Sequence, residues 1–240
     1  MVPFTDSVFL RKMRDASPIS EGTAEILASY LEPCHFAKKE LVLKAGVFCR
    51  YIWLIEKGSL RHYWLMEDGR EINTSFSIEG HMVFSMDEVY FGKTSEEYAQ
   101  TMEPVDAWRI PVGDMNRLFR ENLELCNWGR IIHQNEYRRL HRSHKERLTL
   151  HASERYLQFR EQFPEVCRRA NLGYIASYLG ISQSTLSRLR GGRRNLTWVK
   201  VFLILFADLC IVNYSYGKTK RNLDRLAKSH SLLPCNDDTQ

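Results

Sequence analysis

The stretch "IASYLGISQSTLSRLR", residues 175–190, decides how the chain is read. Apolar residues recur at helical spacing up to Gly180, a serine follows at position 182, and a second short helical pattern ends in arginines. Two helices that cross steeply over a very short turn make three local demands. The first helix needs a small residue where the second packs close, and Ala176 supplies it. The turn needs a residue that tolerates positive φ, and Gly180 supplies that. Apolar residues must lock the pair: Ile175, Leu179 and Ile181 on one side, Leu186 and Leu189 on the other. Ser182 stands where an N-cap belongs.

With Leu186 and Leu189 buried, the opposite face of the second helix carries Gln183, Ser184, Ser187 and Arg188. Gln and Arg side chains bond bidentately to adenine and guanine edges, which makes this a candidate base-reading face. Arg190, Arg193 and Arg194 follow as phosphate-type charges. An ordinary αα-hairpin would carry the same apolar lock, but it has no need of an acid-free exposed face beside an arginine cluster.

The charge distribution points the same way. Between residues 138 and 194 there are thirteen Lys or Arg against four Glu, a net of +9, while the whole chain carries only +5. Between residues 71 and 106 the balance reverses, with eight acidic residues against Lys93 alone. Such segregation is expected of a chain with one end facing nucleic acid. A solvated basic helix face is the alternative reading of the basic region taken alone.

The 240 residues give room for two domains. A hydrophobic content of 44% and a charged content of 26% fit a soluble globular chain. The six cysteines form no CxxC pair and no Cys/His cluster with zinc spacing. "MVPFTDSVFLRKMRD" lacks the charged start, apolar core and cleavage site of a secretory leader. The expectation is a cytoplasmic protein with free thiols. The longest apolar run, "VFLILFADLCIV" at 201–212, is twelve residues interrupted by Asp208. It falls short of the roughly 18–20 residues that span a bilayer, so no membrane partner is expected.

Along the chain, residues 1–35 read as short helices, with Ile26, Leu27, Tyr30 and Leu31 on one face and Pro33 as the stop. From Ala37 to Val112 the texture is β, punctuated by Gly46, Gly58, Gly69 and Gly80 in the manner of a small barrel or sandwich. From Asp114 to Arg147 the pattern turns helical, with Leu118, Leu125, Trp128 and Ile132 on one stripe. So long a helix needs packing beyond its own domain, and a second copy is the natural candidate, with Leu125, Trp128 and Ile132 at the seam. The alternative is a pair of ordinary helices broken near Gly129. "SERYLQFREQFPE" follows as a shorter helix capped by Ser153 and ended by Pro164.

This order of glycine-punctuated β domain, long helix and "YIASYLGISQSTLSRLR" resembles the Crp/Fnr family of bacterial transcriptional regulators. The resemblance runs over residues 20–192 and includes Gly46, Gly58 and "EDGREI" in the β domain. It implies an α+β fold: an N-terminal jelly-roll-like barrel of the cyclic-nucleotide-binding type (1–113), a dimerisation helix (114–147) and a C-terminal winged-helix-type helix-turn-helix domain (148–194). It also implies base reading by Gln183, Ser184 and Arg188, with Ser182 and Thr185 near phosphate. Well-known members place Arg and Glu where Gln183 and Ser184 stand, so the operator half-site is expected to differ.

The sensor region departs further. Nucleotide-binding members hold the cyclic phosphate with a helix opening on Gly-Glu, followed by Arg-Ser or Arg-Thr. Here "FSMDEVYFGKTSEEYAQTME" offers Asp87, Glu88, Glu96 and Glu97, no arginine, and Thr94 beside Ser95. Carboxylates near a would-be phosphate disfavour an anion, so cyclic-nucleotide binding is expected to be lost. Cys34 and Cys49 do not make an iron–sulfur set. No cofactor or metal is expected.

Residues 195–240 exceed the resemblance and are an extension of unassigned fold. No nucleophile elbow, dinucleotide loop or convergent acid pair supports an enzyme, and His141 and His144, three apart, fit a solvated basic face better than a metal site. The expected protein is a homodimeric, sequence-specific reader of double-stranded DNA, with RNA polymerase as a further partner. The remaining alternative is a ligand-binding protein with a vestigial DNA-binding head.

Overall fold

The structure, a computed structural model, describes residues 2–191. The chain divides into two units, residues 1–187 and 188–240. The second enters the description only through its first four residues.

Two helices open the chain, α1 (Val8–Ala16) and α2 (Glu21–Ser29). Each starts on a serine whose hydroxyl accepts an otherwise unpaired helix N–H: Ser7 from Leu10 and Ser20 from Thr23. The carboxylate of Glu56 reinforces the first by accepting from Val8 N at 2.8 Å and Phe9 N at 3.2 Å. The expected apolar face of α2 is rotated: Thr23, Ala24 and Leu27 point inward, and Ile26 is 46% exposed.

Eight strands follow: β1 (Glu32–Phe36), β2 (Leu41–Leu43), β3 (Tyr51–Lys57), β4 (Leu60–Leu65), β5 (Glu71–Ser77), β6 (Met82–Val83), β7 (Tyr98–Thr101) and β8 (Val105–Pro111). They form two antiparallel four-stranded sheets, ordered β1-β8-β3-β6 and β2-β7-β4-β5. One short helix, α3 (Met86–Phe91), lies between β6 and β7. Leu43, Trp53, Ile55, Leu60, Val83, Ala99, Val105 and Ala107 fill the space between the sheets. The other face of β3 and β8 carries Ile52, Leu54, Trp108 and Ile110 into a second core with α1 and α2. Burial on both faces explains why β3 reads "YIWLIEK", an almost unbroken apolar run, rather than an alternation.

The four turn glycines all have positive φ. At Gly58, φ +102°, an added Cβ would lie 2.5 Å from the carbonyl oxygen of Pro104.

The single helix expected over 114–147 is two, α4 (Val112–Glu121) and α5 (Leu123–Thr149). The break falls at Asn122, whose backbone turns extended and whose side-chain oxygen accepts from Leu125 N at 3.0 Å. An Asn in that role ends one helix and caps the next. Gly129, the expected alternative break, lies inside α5, where an added Cβ would come within 3.1 Å of the Phe119 ring. Beyond come α6 (Ala152–Gln162), α7 (Pro164–Arg169), α8 (Leu172–Leu179) and α9 (183–191). His151, not Ser153, precedes α6, and its N–H donates back to Glu154. Pro164 opens α7 at a position where its missing N–H costs nothing.

Candidate nucleic-acid interface and the barrel interior

The opening stretch folds into α8, a turn and α9. Asn171 starts α8 by accepting from Gly173 N at 2.9 Å. Gly180 ends it in the left-handed region, φ 66° and ψ 37°. Ile181 N donates to Ala176 O at 3.0 Å and Gly180 N to Ser177 O at 3.1 Å. That pair of bonds is the Schellman closure, which favours glycine at this position. Two guanidiniums hold the negative end of the same helix: Arg147 donates to Tyr178 O and Arg155 to Leu179 O, each at 3.2 Å. Ser182 caps α9, its hydroxyl accepting from Thr185 N at 3.1 Å.

Ile175, Ala176, Leu179 and Leu186 are buried; Ile181 and Leu189 are half-buried. Gln183, Ser184, Ser187, Arg188 and Arg190 are exposed. Among the residues expected near phosphate, Ser182 is exposed and Thr185 half-buried, and the Ser182 hydroxyl lies 2.9 Å from those of both Ser184 and Thr185. Arg193, Arg194 and the extension 195–240 lie outside the described residues, as does any wing.

The residues expected at a dimer seam sit elsewhere. Leu125 and Trp128 are buried in the chain's own core, where the Trp128 ring meets Phe9 at 5.9 Å and Phe119 at 6.4 Å between centroids. Ile132 packs against the same cluster. The apolar stripe seen in the sequence is real, but α1 and α4 cover it. The exposed apolar residues of α5 are Leu123, Tyr137, Leu140 and Leu148.

In the barrel, the acidic stretch is bonded to the chain itself. Ser85 caps α3. The Glu88 carboxylate takes the N–H groups of Cys49 and Arg50, the latter at 2.7 Å, and so fixes Arg50 in the left-handed region at φ +58°. Asp87 accepts from Glu96 N at 3.4 Å. Glu97 bonds the Thr74 hydroxyl and lies 3.5 Å from His62 Nδ1, and His62 Nε2 meets the Ser77 hydroxyl at 2.9 Å. Burial pushes the Glu97 carboxyl up, but the His62 ring and the Thr74 hydroxyl outweigh it and hold the group below its ordinary value. The backbone N–H groups of Cys49, Arg50 and Glu96 are thus all bonded by carboxylates of α3. Cys34 and Cys49 are free thiols, each pushed up to about 11 by burial, and so are poor nucleophiles. Among the described residues no group of three or more His, Cys, Asp or Glu is placed to hold a metal ion, and no helix is long and apolar enough to cross a membrane.

Residues 33–122 match the cyclic nucleotide-binding domain family. Solved structures extend the likeness past that domain. FixK2 from Bradyrhizobium japonicum is similar at 16% identity, with 70% of this chain and 86% of that one covered and a TM-score of 0.60. The c-di-GMP-responsive global regulator CLP of Xanthomonas campestris is similar at 16% identity, over 73% of this chain and 92% of its own, with a TM-score of 0.59. A protein assigned to the Crp/Fnr family of transcriptional regulators, from Eubacterium rectale, matches at 16% identity, over 71% and 82%, with a TM-score of 0.57. No curated protein matches the sequence. The chain thus has the mixed helix-and-sheet fold, with a cyclic-nucleotide-binding-type barrel, that is shared by Crp/Fnr regulators.

Proposed function

We propose that the chain is a dimeric transcription regulator that reads double-stranded DNA with α9, and that its barrel has lost cyclic-nucleotide binding. One observation carries the DNA reading. A glycine-closed turn and a serine cap present Gln183, Ser184 and Ser187 to solvent with no acidic side chain among them, and Arg188 and Arg190 follow in the same helix. The second helix of such a unit enters the major groove, and these are side chains that bond to base edges. Selection of full-length protein on a pool of random duplexes tests this directly. Enrichment of a two-fold-symmetric site is expected, and an unenriched pool overturns the reading.

The dimer reading rests on the second half of α5, where residues 134–149 are almost all exposed. A helix with so little of its surface covered gains stability by packing on another. We put the seam at the exposed Tyr137, Leu140 and Leu148, since Leu125 and Trp128 are buried in the chain's own core. Leu140→Asp is expected to sediment as a monomer, and an unchanged dimer would move the interface off this helix.

Loss of cyclic-nucleotide binding is supported by Glu88, which occupies the loop N–H groups facing α3, and by the absence of an arginine between residues 71 and 108.

A further inference from the structure

The outer face of β4 and β5 is covered by the helices that lead into α9. β5 is the last strand of its sheet, so one row of its backbone groups has no strand partner. Ser177 of α8 substitutes for one: its hydroxyl accepts from Asn73 N and donates to Glu71 O, both at 3.0 Å. Alongside, the Phe76 ring of β5 meets Phe159 of α6 at 6.0 Å and Tyr178 of α8 at 5.7 Å.

Arginines flank this contact. Arg61 of β4 is 3% exposed, and its guanidinium is sandwiched between the rings of Tyr63 and Tyr174, 4.1 Å from each centroid. Its nitrogens bond Gln100 Oε1 at 3.1 and 2.7 Å and Glu71 Oε2 at 2.5 Å. At the end of α7, Arg169 makes a bidentate pair with Glu79, at 2.7 and 2.8 Å, and reaches Glu103 at 3.1 Å. Both carboxylates are anchored in turn, Glu79 by Gly58 N and Glu103 by the Ser59 hydroxyl. A forked guanidinium shared by two fixed carboxylates resists rotation in a way that a single ion pair does not.

We propose that this outer face is a seat that fixes the reading head on the barrel, with Arg169 and Ser177 as positioning residues, so that the barrel sets the operator spacing the dimer accepts. The proposal rests on the DNA-binding and dimer readings above. The contact uses Tyr174, Ser177 and Tyr178 of α8 and leaves Gln183, Ser184 and Ser187 exposed, so a seated head is free to read. A symmetric dimer meets half-sites about 34 Å apart, one helical turn. Heads seated rigidly on joined barrels hold one separation, and pre-organisation of that kind favours binding to the matching spacing.

The test compares wild type with Arg169→Ala, Ser177→Ala and the conservative Arg169→Lys, after thermal melts confirm that each folds. The first measurement needs no DNA. Hydrogen exchange at the Asn73 amide is expected to quicken at least tenfold in Ser177→Ala and Arg169→Ala. Unchanged exchange overturns the seat even if the protein binds no DNA. The second uses the selected site with its half-sites moved apart by one or two base pairs, beside an isolated half-site. Wild type is expected to lose affinity steeply as spacing departs from the optimum. Arg169→Ala should lose about tenfold at the optimum, the equivalent of 1.4 kcal/mol, show a flattened spacing profile and keep its half-site affinity, with Arg169→Lys intermediate. A wild-type spacing profile in Arg169→Ala overturns the proposal while leaving the DNA reading intact. Wild type that binds no duplex overturns both the DNA reading and the spacing role.

Discussion

α3 in the barrel and α9 at the other end of the described chain begin alike. Each is capped by a serine whose hydroxyl accepts from the N–H three residues on: Ser85 from Glu88 at 3.3 Å and Ser182 from Thr185 at 3.1 Å. The residues behind the caps are opposite in character. In α3 they are Met86, Asp87 and Glu88, and Glu88 folds back onto the neighbouring loop. In α9 they are Gln183, Ser184 and Thr185, followed by Arg188 and Arg190. A helix start favours anions through its free N–H groups and its dipole. Whether an external anion benefits is decided by the side chains around it. α3 is bonded by the chain's own carboxylates, and α9 carries cations in its second half.

The steepest test of that contrast is ionic strength. If six to ten phosphates are neutralised per dimer, raising salt from about 50 to 200 mM should weaken DNA binding roughly 10³–10⁵-fold. A flat response, read by fluorescence anisotropy, would erase the difference between the two helices. Next in size is the contrast within the basic end. Arg188→Ala should cost about 1–3 kcal/mol on the preferred operator and flatten discrimination at one base pair per half-site. Arg193→Ala should weaken all sequences about equally, because phosphate contacts carry no sequence information. Binding-site selection with both variants decides, and a uniform loss in Arg188→Ala would reassign it to the backbone.

Acid offers a narrower test, on the carboxylates that seat the head. Burial pushes the Glu79 carboxyl up, but its hydrogen bonds with Arg169 and the backbone prevail and lower it from 4.5 to about 2. A depressed carboxyl stabilises the fold fully above its unfolded value, and that stability is lost as pH falls from about 4.5 through about 2. Urea melts of wild type should therefore lose stability across that window, and Glu79→Gln should lose less. An identical pH slope in the variant would remove Glu79 from the account. The smallest expected signal is on the α3 side: calorimetry with cyclic AMP or cyclic GMP should give no saturable heat. A micromolar constant for either would mean that the carboxylates around α3 do not exclude the phosphate.

The two-helix unit was legible because its constraints are local. A left-handed turn calls for a residue like Gly180, a cap for one like Ser182, and helical spacing placed Leu186 inside. Turn glycines marked the barrel for the same reason. What covers an apolar stripe is not local. Periodicity found Leu125 and Trp128 but could not tell the chain's own α1 from a second copy. The helix break does carry a local signal, since Asn122 before "LELC" is an N-cap pattern. No sequence signal marked Arg61, Arg169 or Ser177. Their side-chain hydrogen-bond partners lie ten to more than a hundred positions away, and nothing in the residues nearest them announces a bond across that distance.

The bond from Ser177 to β5 has a consequence for how the protein can be cut. An uncovered strand edge is a template for pairing with another molecule, and proteins guard such edges with charges, prolines or a covering element. Here the guard is a helix from the other end of the described chain. A fragment ending before α6 would uncover the β5 edge together with Phe76, one of the buried aromatic rings of the seat. Such a fragment is expected to self-associate through that strand. α8 thus also serves the barrel as the cap that keeps its sheet from growing.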